Sequence, residues 1–153
     1  MFLFGMISGQ TGSAQVRTGG NKIALSAGPE WNMNLHKNFA GGFILGFDYN
    51  LPSVPLAIGL SAAGSYSFTD STVFEAASFL RWYFPQNNYS GLFTQADLGL
   101  YIVMEDNNIL SKILGSLRGG YRFHMGSSLF FEPYGRFGYP FIFGIGLMAG
   151  VQL

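Results

Sequence analysis

The sequence contains no cysteine. That excludes disulfide staples, thiolate metal sites and cysteine nucleophiles, and it is compatible with any redox compartment. Charge is scarce. Asp, Glu, Lys and Arg make up 10% of the 153 residues, against roughly a quarter in typical globular proteins. The two signs balance at eight each, so there is no electrostatic footprint for nucleic acid. Nor is there an uninterrupted apolar run of about 20 residues, which a transmembrane helix requires. The two histidines, His36 and His124, fall in connections at opposite ends of the architecture proposed below. No Ser–His–acid or paired-carboxylate site can be assembled with both. The glycines follow no phosphate-loop pattern, and no metal-ligand cluster is visible. No catalytic activity, cofactor or metal is expected.

What the chain does have is 17% aromatic residues and 22 glycines. Plentiful but interrupted apolar residues suit membrane-spanning strands, which need only about 9–11 residues each and hide polar groups inside a barrel. The length predicts one domain. Residues 1–20 read as the remnant of a secretory signal peptide or as an N-terminal arm. Phe2–Ile7 is apolar and Gly12-Ser13-Ala14 offers a small-residue cleavage site, without a positive n-region. Residues 21–153 form the barrel.

Eight segments alternate with the period of two that marks strands, at about 22–31, 39–50, 55–68, 73–84, 91–104, 112–123, 128–137 and 140–153. Turn-forming residues separate them. In the third segment one face carries Leu56, Ile58, Leu60, Ala62, Gly64, Tyr66 and Phe68, and the other Ala57, Gly59, Ser61, Ala63, Ser65 and Ser67. With each strand's more apolar face turned outward, Lys22, Glu30, Asp48, Glu75, Arg81, Asp97, Arg118, Arg122, Glu132 and Arg136 all fall inward. A soluble barrel also alternates, but its second face would carry dense Lys and Glu. Here that face is Gly, Ala and Ser with a few aromatics and balanced charges, as in the filling of a narrow lumen. The expected architecture is therefore an all-β, eight-stranded, antiparallel up-and-down transmembrane barrel with short loops.

Turn positions suggest registers. A turn at 69–72 sets Gly59 opposite Tyr83, Ser61 opposite Arg81 and Ala63 opposite Phe79. The last hairpin sets Tyr134 over Gly144 and Glu132 over Gly146. In both cases small residues face large ones. A lumenal ion-pair network is expected from Glu75, Arg81, Asp97, Arg118, Arg122, Glu132 and Arg136. Arg81 should lie opposite Gln95 and diagonal to Asp97, Arg118 near Asp97, and Glu132 within one pairing step of Arg122. Aromatic girdles at the two membrane interfaces are expected from Trp31, Phe39, Phe68, Phe74 and Phe141 at one rim. Trp82, Phe84 and Tyr121, with Tyr49, Phe123 and Phe131, are expected at the other.

The closing stretch Leu129–Leu153 (LFFEPYGRFGYPFIFGIGLMAGVQL), with Phe79–Phe84 and Gln95–Gly99, resembles small outer-membrane barrels of the OmpW/opacity-protein kind, especially the short barrels of spirochaetes such as treponemes. The resemblance spans about Asn21 to Leu153. It implies residence in a bacterial outer membrane and insertion by the outer-membrane assembly machinery, which reads an alternating C-terminal strand that usually ends in Phe. Here the alternation is present and the last residue is Leu153.

Three functions compete. The first is a structural or surface membrane protein, monomeric, surrounded by outer-membrane lipid. The second is a narrow conduit for small or hydrophobic solutes, with the glycine- and serine-rich walls of the second, third and eighth strands leaving a groove. Against it, Phe79, Tyr83, Phe93, Tyr101, Phe130 and Tyr134 would occlude the lumen. The third is a soluble, lipocalin-like ligand-binding barrel with its apolar face inside.

Overall fold

A computed structural model of the chain describes residues 23–33, 39–52, 54–67, 71–84, 90–105 and 108–153. The expectations for residues 1–20, Lys22, His36 and Phe68 lie outside them. Eight strands follow in order: β1 (Ile23–Met33), β2 (Phe39–Asn50), β3 (Leu56–Ser67), β4 (Thr72–Phe84), β5 (Gly91–Glu105), β6 (Asn108–Met125), β7 (Leu129–Tyr139) and β8 (Phe143–Gln152). Each pairs antiparallel with its chain neighbour, and β1 pairs with β8 to close the barrel. Closure leaves the main strand ladder without an edge, the condition for strands in a bilayer.

The strands are strongly staggered. Leu25 pairs with Phe47, Phe47 with Leu60, Leu60 with Ser78, Ser78 with Leu98, Leu98 with Gly115, and Gly115 with Tyr139. A path that starts near the beginning of β1 thus ends on the last residue of β7. This stagger is the shear that tilts strands in a closed barrel. The ends of the barrel meet: the Leu153 amide donates to the Ile23 carbonyl at 2.8 Å.

Alternation sorts the faces as expected. Glu30, Asp48, Glu75, Arg81, Asp97, Arg118, Arg122, Glu132 and Arg136 are all buried. Leu60 is 61% exposed, and Phe43, Leu45, Leu98, Leu117, Phe137 and Ile145 likewise face out. Where an outward hydroxyl occurs, the backbone can absorb it: Ser78 Oγ donates to the Leu98 carbonyl at 3.1 Å.

Three expectations are corrected. First, Gly59 lies opposite Phe79 rather than Tyr83, Ala57 opposite Arg81, and Ala63 opposite Glu75. The β3–β4 turn is centred two residues earlier than its composition suggests, and the Ser67 amide bonds the Ser71 carbonyl at 2.9 Å. Second, Tyr134 lies opposite Gly146 and Glu132 opposite Met148, because β7 runs on to Tyr139 and the connection follows it. Third, β6 begins at Asn108 rather than near 112, and Glu105 pairs with Asn108. The stretch 105–110 is therefore mostly strand.

Size matching survives the shift. A Cβ added at Gly146 would overlap the Tyr134 ring, one at Gly150 the Phe130 ring, and one at Gly59 the Phe79 ring. The Tyr134 ring cannot easily retreat, since its hydroxyl donates to Glu30 Oε2 at 2.5 Å. Gly135, in contrast, meets nothing within 4 Å. Gly146→Ala is therefore expected to cost about 1–3 kcal/mol by overpacking. Gly135→Ala should stay within about 0.5 kcal/mol. Urea-induced unfolding from lipid vesicles, read by tryptophan fluorescence, checks both.

Candidate functional site

The lumen gathers almost every polar side chain of the strand bodies, so it is the candidate site. Period-two alternation sends these residues inward from β1, β2, β4, β5, β6 and β7, and the barrel brings strands distant in sequence face to face. Nearer the chain termini, Arg81 Nη1 donates to Glu132 Oε1 at 2.9 Å and lies 3.9 Å from Asp48 Oδ2. Arg122 Nη2 donates to Asp48 Oδ2 at 3.1 Å, and Arg122 Nε bonds Glu132 Oε1. Two guanidiniums and two carboxylates thus form a closed quartet.

Above the quartet, Arg136 bridges two acids. Its Nη1 donates to Glu30 Oε1 at 3.1 Å and its Nη2 to Glu75 Oε2 at 2.5 Å. Asn32 Nδ2 donates to Glu30 Oε1 at 2.8 Å. Between the groups, Arg118 Nε sits 3.1 Å from Asp97 Oδ2. Ser116 Oγ donates to Asp97 Oδ2 at 2.9 Å and Gln95 Nε2 to Asp97 Oδ1 at 2.6 Å. Arg81 does lie opposite Gln95, and its Nε donates to Gln95 Oε1 at 2.8 Å. Its charge, however, is directed across the lumen to Glu132 and Asp48 rather than to Asp97.

Aromatic rings fill the space between the charges. The Arg81 guanidinium lies 4.3 Å from the Phe93 ring centroid, and that of Arg122 lies 4.0 Å from Phe130, distances at which ring quadrupoles attract cations. Tyr83, Phe93, Tyr134 and Met148 pack with Ile44 and Ala57. Towards the other mouth, Phe141 packs with Ala40, Val73, Ala77, Tyr101 and Leu114. This corrects the girdle expectation for Phe141, which is only 4% exposed. It lies in the β7–β8 connection rather than in a strand, so alternation does not govern it and its ring turns into the mouth. Trp31, Phe39, Phe74, Trp82, Phe84 and Tyr121 are exposed on the outer surface.

Several partners were not singled out from the sequence as network members: Glu30, Asp48, Asn32, Tyr83, Gln95, Ser116 and Tyr134. Their inward parity was the available signal; their pairing across the lumen was not visible along the chain. Some buried polar atoms, including both side-chain atoms of Asn50, Glu75 Oε1 and Glu132 Oε2, have no protein partner among the described residues. Each is a place suited to a lumenal water.

A hollow of about 1040 Å³ is lined by Leu25, Leu45, Phe47, Leu60, Leu98 and Leu100 among others. Those side chains point away from the lumen, and the small residues Ser26, Gly46, Ser61, Ala77, Gly99 and Gly150 line the hollow between them. His124 Nε2 lies 2.8 Å from Gln152 Oε1. Among the described residues no group of three His, Asp or Glu side chains is placed to hold a metal ion.

No protein-family model matches the chain, and no curated protein sequence does. Solved structures do. The N-terminal β-barrel domain of Pseudomonas aeruginosa OprF superposes with a TM-score of 0.53 at 14% identity, over 88% of this chain and 99% of that one. Neisserial surface protein A superposes with a TM-score of 0.56 at 13% identity, over 86% and 94%. A de novo designed transmembrane β-barrel gives 0.52 at 12% identity, over 87% and 98%. At such identities the likeness is one of fold: the chain is a closed eight-stranded barrel of the outer-membrane type.

Removing one partner from the buried quartet leaves an uncompensated charge in it, which costs about 3–5 kcal/mol. Glu132→Ala leaves Arg81 and Arg122 with Asp48 as their one remaining acid in the quartet, a surplus buried positive charge, and is expected to fall in that range. Replacing Arg122 by Met as well should recover part of the loss. A double-mutant cycle of urea unfolding in vesicles measures the coupling.

Proposed function

We propose that the chain is an integral protein of a bacterial outer membrane, a monomer surrounded by lipid and inserted by the outer-membrane assembly machinery. Its role is that of a structural or surface barrel rather than a conduit. The observation that carries this reading is the inversion of polarity. Nine charged side chains of the strands are buried, Lys112 near the start of β6 being exposed, while Leu, Ile and Phe cover the outside. In water such a surface would aggregate; in hydrocarbon it is what a barrel requires. The same inversion argues against the soluble lipocalin-like alternative, which needs its apolar face inside.

The solute-conduit alternative meets a filled lumen. Phe79, Tyr83, Phe93, Tyr101, Phe130 and Tyr134 are all buried, and Phe141 stoppers one mouth. An eight-stranded barrel has an interior just wide enough for its side chains to fill. The spirochaete-type resemblance of the closing hairpin belongs to this proposal too, as a statement about the kind of envelope the barrel inhabits.

Two measurements test it. The folded protein should partition into detergent with heat-modifiable gel mobility, and a monodisperse, detergent-free soluble form would overturn the membrane reading. In planar bilayers it should show no steady unitary conductance; such a conductance would overturn the filled-lumen reading alone. Leu60→Arg, on the outward face, is expected to destabilise the barrel in lipid by about 2–4 kcal/mol, measured by urea titration in vesicles.

A further inference from the structure

The ladder closes along most of the barrel, but not all of β6. β5 and β6 pair out to Glu105–Asn108, and β4 accompanies β5 as far as Met104. On the other side, β7 stops at Tyr139, opposite Gly115. The segment Asn108–Leu114 therefore has β5 along one edge and no described strand along the other. In an antiparallel ladder alternate residues direct their N–H and C=O groups to opposite sides. Half of the backbone groups in this segment thus point to the open edge, and no backbone partner occupies it among the described residues.

Natural edges are blunted by proline, lysine or brevity. This one is seven residues long, has no proline, and its one lysine is Lys112. It carries exposed apolar side chains on both faces, with Ser111 between Ile109 and Ile113 on one and Lys112 beside Leu110 on the other. Ile109 and Ile113, which share a face, are 72% and 70% exposed, and Leu110 on the opposite face is 50% exposed.

We infer that the free edge of β6, residues 108–114, is a strand-addition site for an extended segment of another protein, apolar at alternate positions. Backbone groups in a row at strand spacing are matched by another strand, which supplies the complementary row. The incoming side chains would lie beside Ile109 and Ile113 on one face and Leu110 on the other. Acyl chains cannot fill this role, because they neither donate nor accept hydrogen bonds. A second copy is a poor partner. Two barrels of the same orientation, related by a two-fold axis along the membrane normal, present β6 strands that run the same way but tilt oppositely. Their edges cross instead of forming a ladder.

The test uses the full chain in lipid nanodiscs with nine-residue peptides that alternate threonine with valine, isoleucine or phenylalanine. Amide hydrogen exchange is read residue by residue. At least one peptide is expected to slow exchange tenfold or more at alternate amides within 109–113, leaving amides elsewhere in the barrel unchanged. Ser111→Pro should abolish the protection. Should that variant not fold, the pair Ile109→Thr and Ile113→Thr keeps strand propensity and should weaken peptide binding about tenfold. The inference is overturned if no peptide protects the segment, or if the two threonines leave binding unchanged. Protection already present without peptide would overturn it in favour of a partner within the chain itself. Protection that grows with protein concentration would overturn it in favour of a second copy.

Discussion

A barrel with a lipid-facing exterior must satisfy its inward polar groups across a lumen only a few side chains wide. Water cannot be relied on to solvate each charge there, and an unpaired buried charge costs several kcal/mol. The geometry of the interior follows from that constraint. Glu132 holds both Arg81 and Arg122, Asp48 shares the same two guanidiniums, and Arg136 spans Glu30 and Glu75. These contacts join β1, β2, β4, β6 and β7; apart from Arg122 with Glu132 on the adjacent strands β6 and β7, each links strands that do not pair with each other in the ladder. The contacts of Arg81 with Asp48 and Glu132, of Arg122 with Asp48 and of Arg136 with Glu75 reach across the lumen, so they are interactions of the closed state.

Pairing charges across the lumen demands room for long side chains, and glycine provides it. Gly146 accepts the Tyr134 ring, Gly150 the Phe130 ring and Gly59 the Phe79 ring. Tyr134 in turn donates to Glu30, and Phe130 lies beneath the Arg122 guanidinium. The glycines, the aromatics and the charges are therefore one packing solution. This accounts for a composition rich in both the smallest and the largest residues yet poor in charge.

The faces of the strands were legible because side-chain period is two and a membrane barrel separates its two environments sharply. Registers were not. Moving the β3–β4 turn centre by two residues changes every partner by four, which preserves parity. Arg81 thus stays inward while its neighbour changes from Ser61 to Ala57. The error is invisible to alternation; it shows in the β3–β4 pairing and in the hydrogen bond between Ser67 and Ser71. Phe141 shows the opposite failure: alternation was carried into a connection, where it has no force, and a ring expected at the lipid interface packs against Tyr101 and Leu114. The early start of β6 was hidden because Asp106, Asn107 and Asn108 read as a long turn, while Ile109 and Leu110 side by side break the alternation.

The cross-lumen contacts also bear on what the barrel can do. A path for solutes would have to part the quartet at Arg81, Arg122, Asp48 and Glu132, move the rings of Tyr83 and Phe93 beside it, and displace Phe141 at the mouth. Those same contacts hold the barrel's walls to one another. Opening and structural integrity therefore draw on one set of interactions, and widening the lumen weakens the fold in proportion. A polar interior of this kind needs no solute to explain it, since the stability of a closed ladder in hydrocarbon is sufficient cause. Specific interactions with other molecules are then better sought outside the lumen. There the hairpin of β5 and β6 leaves part of one strand edge without a described partner.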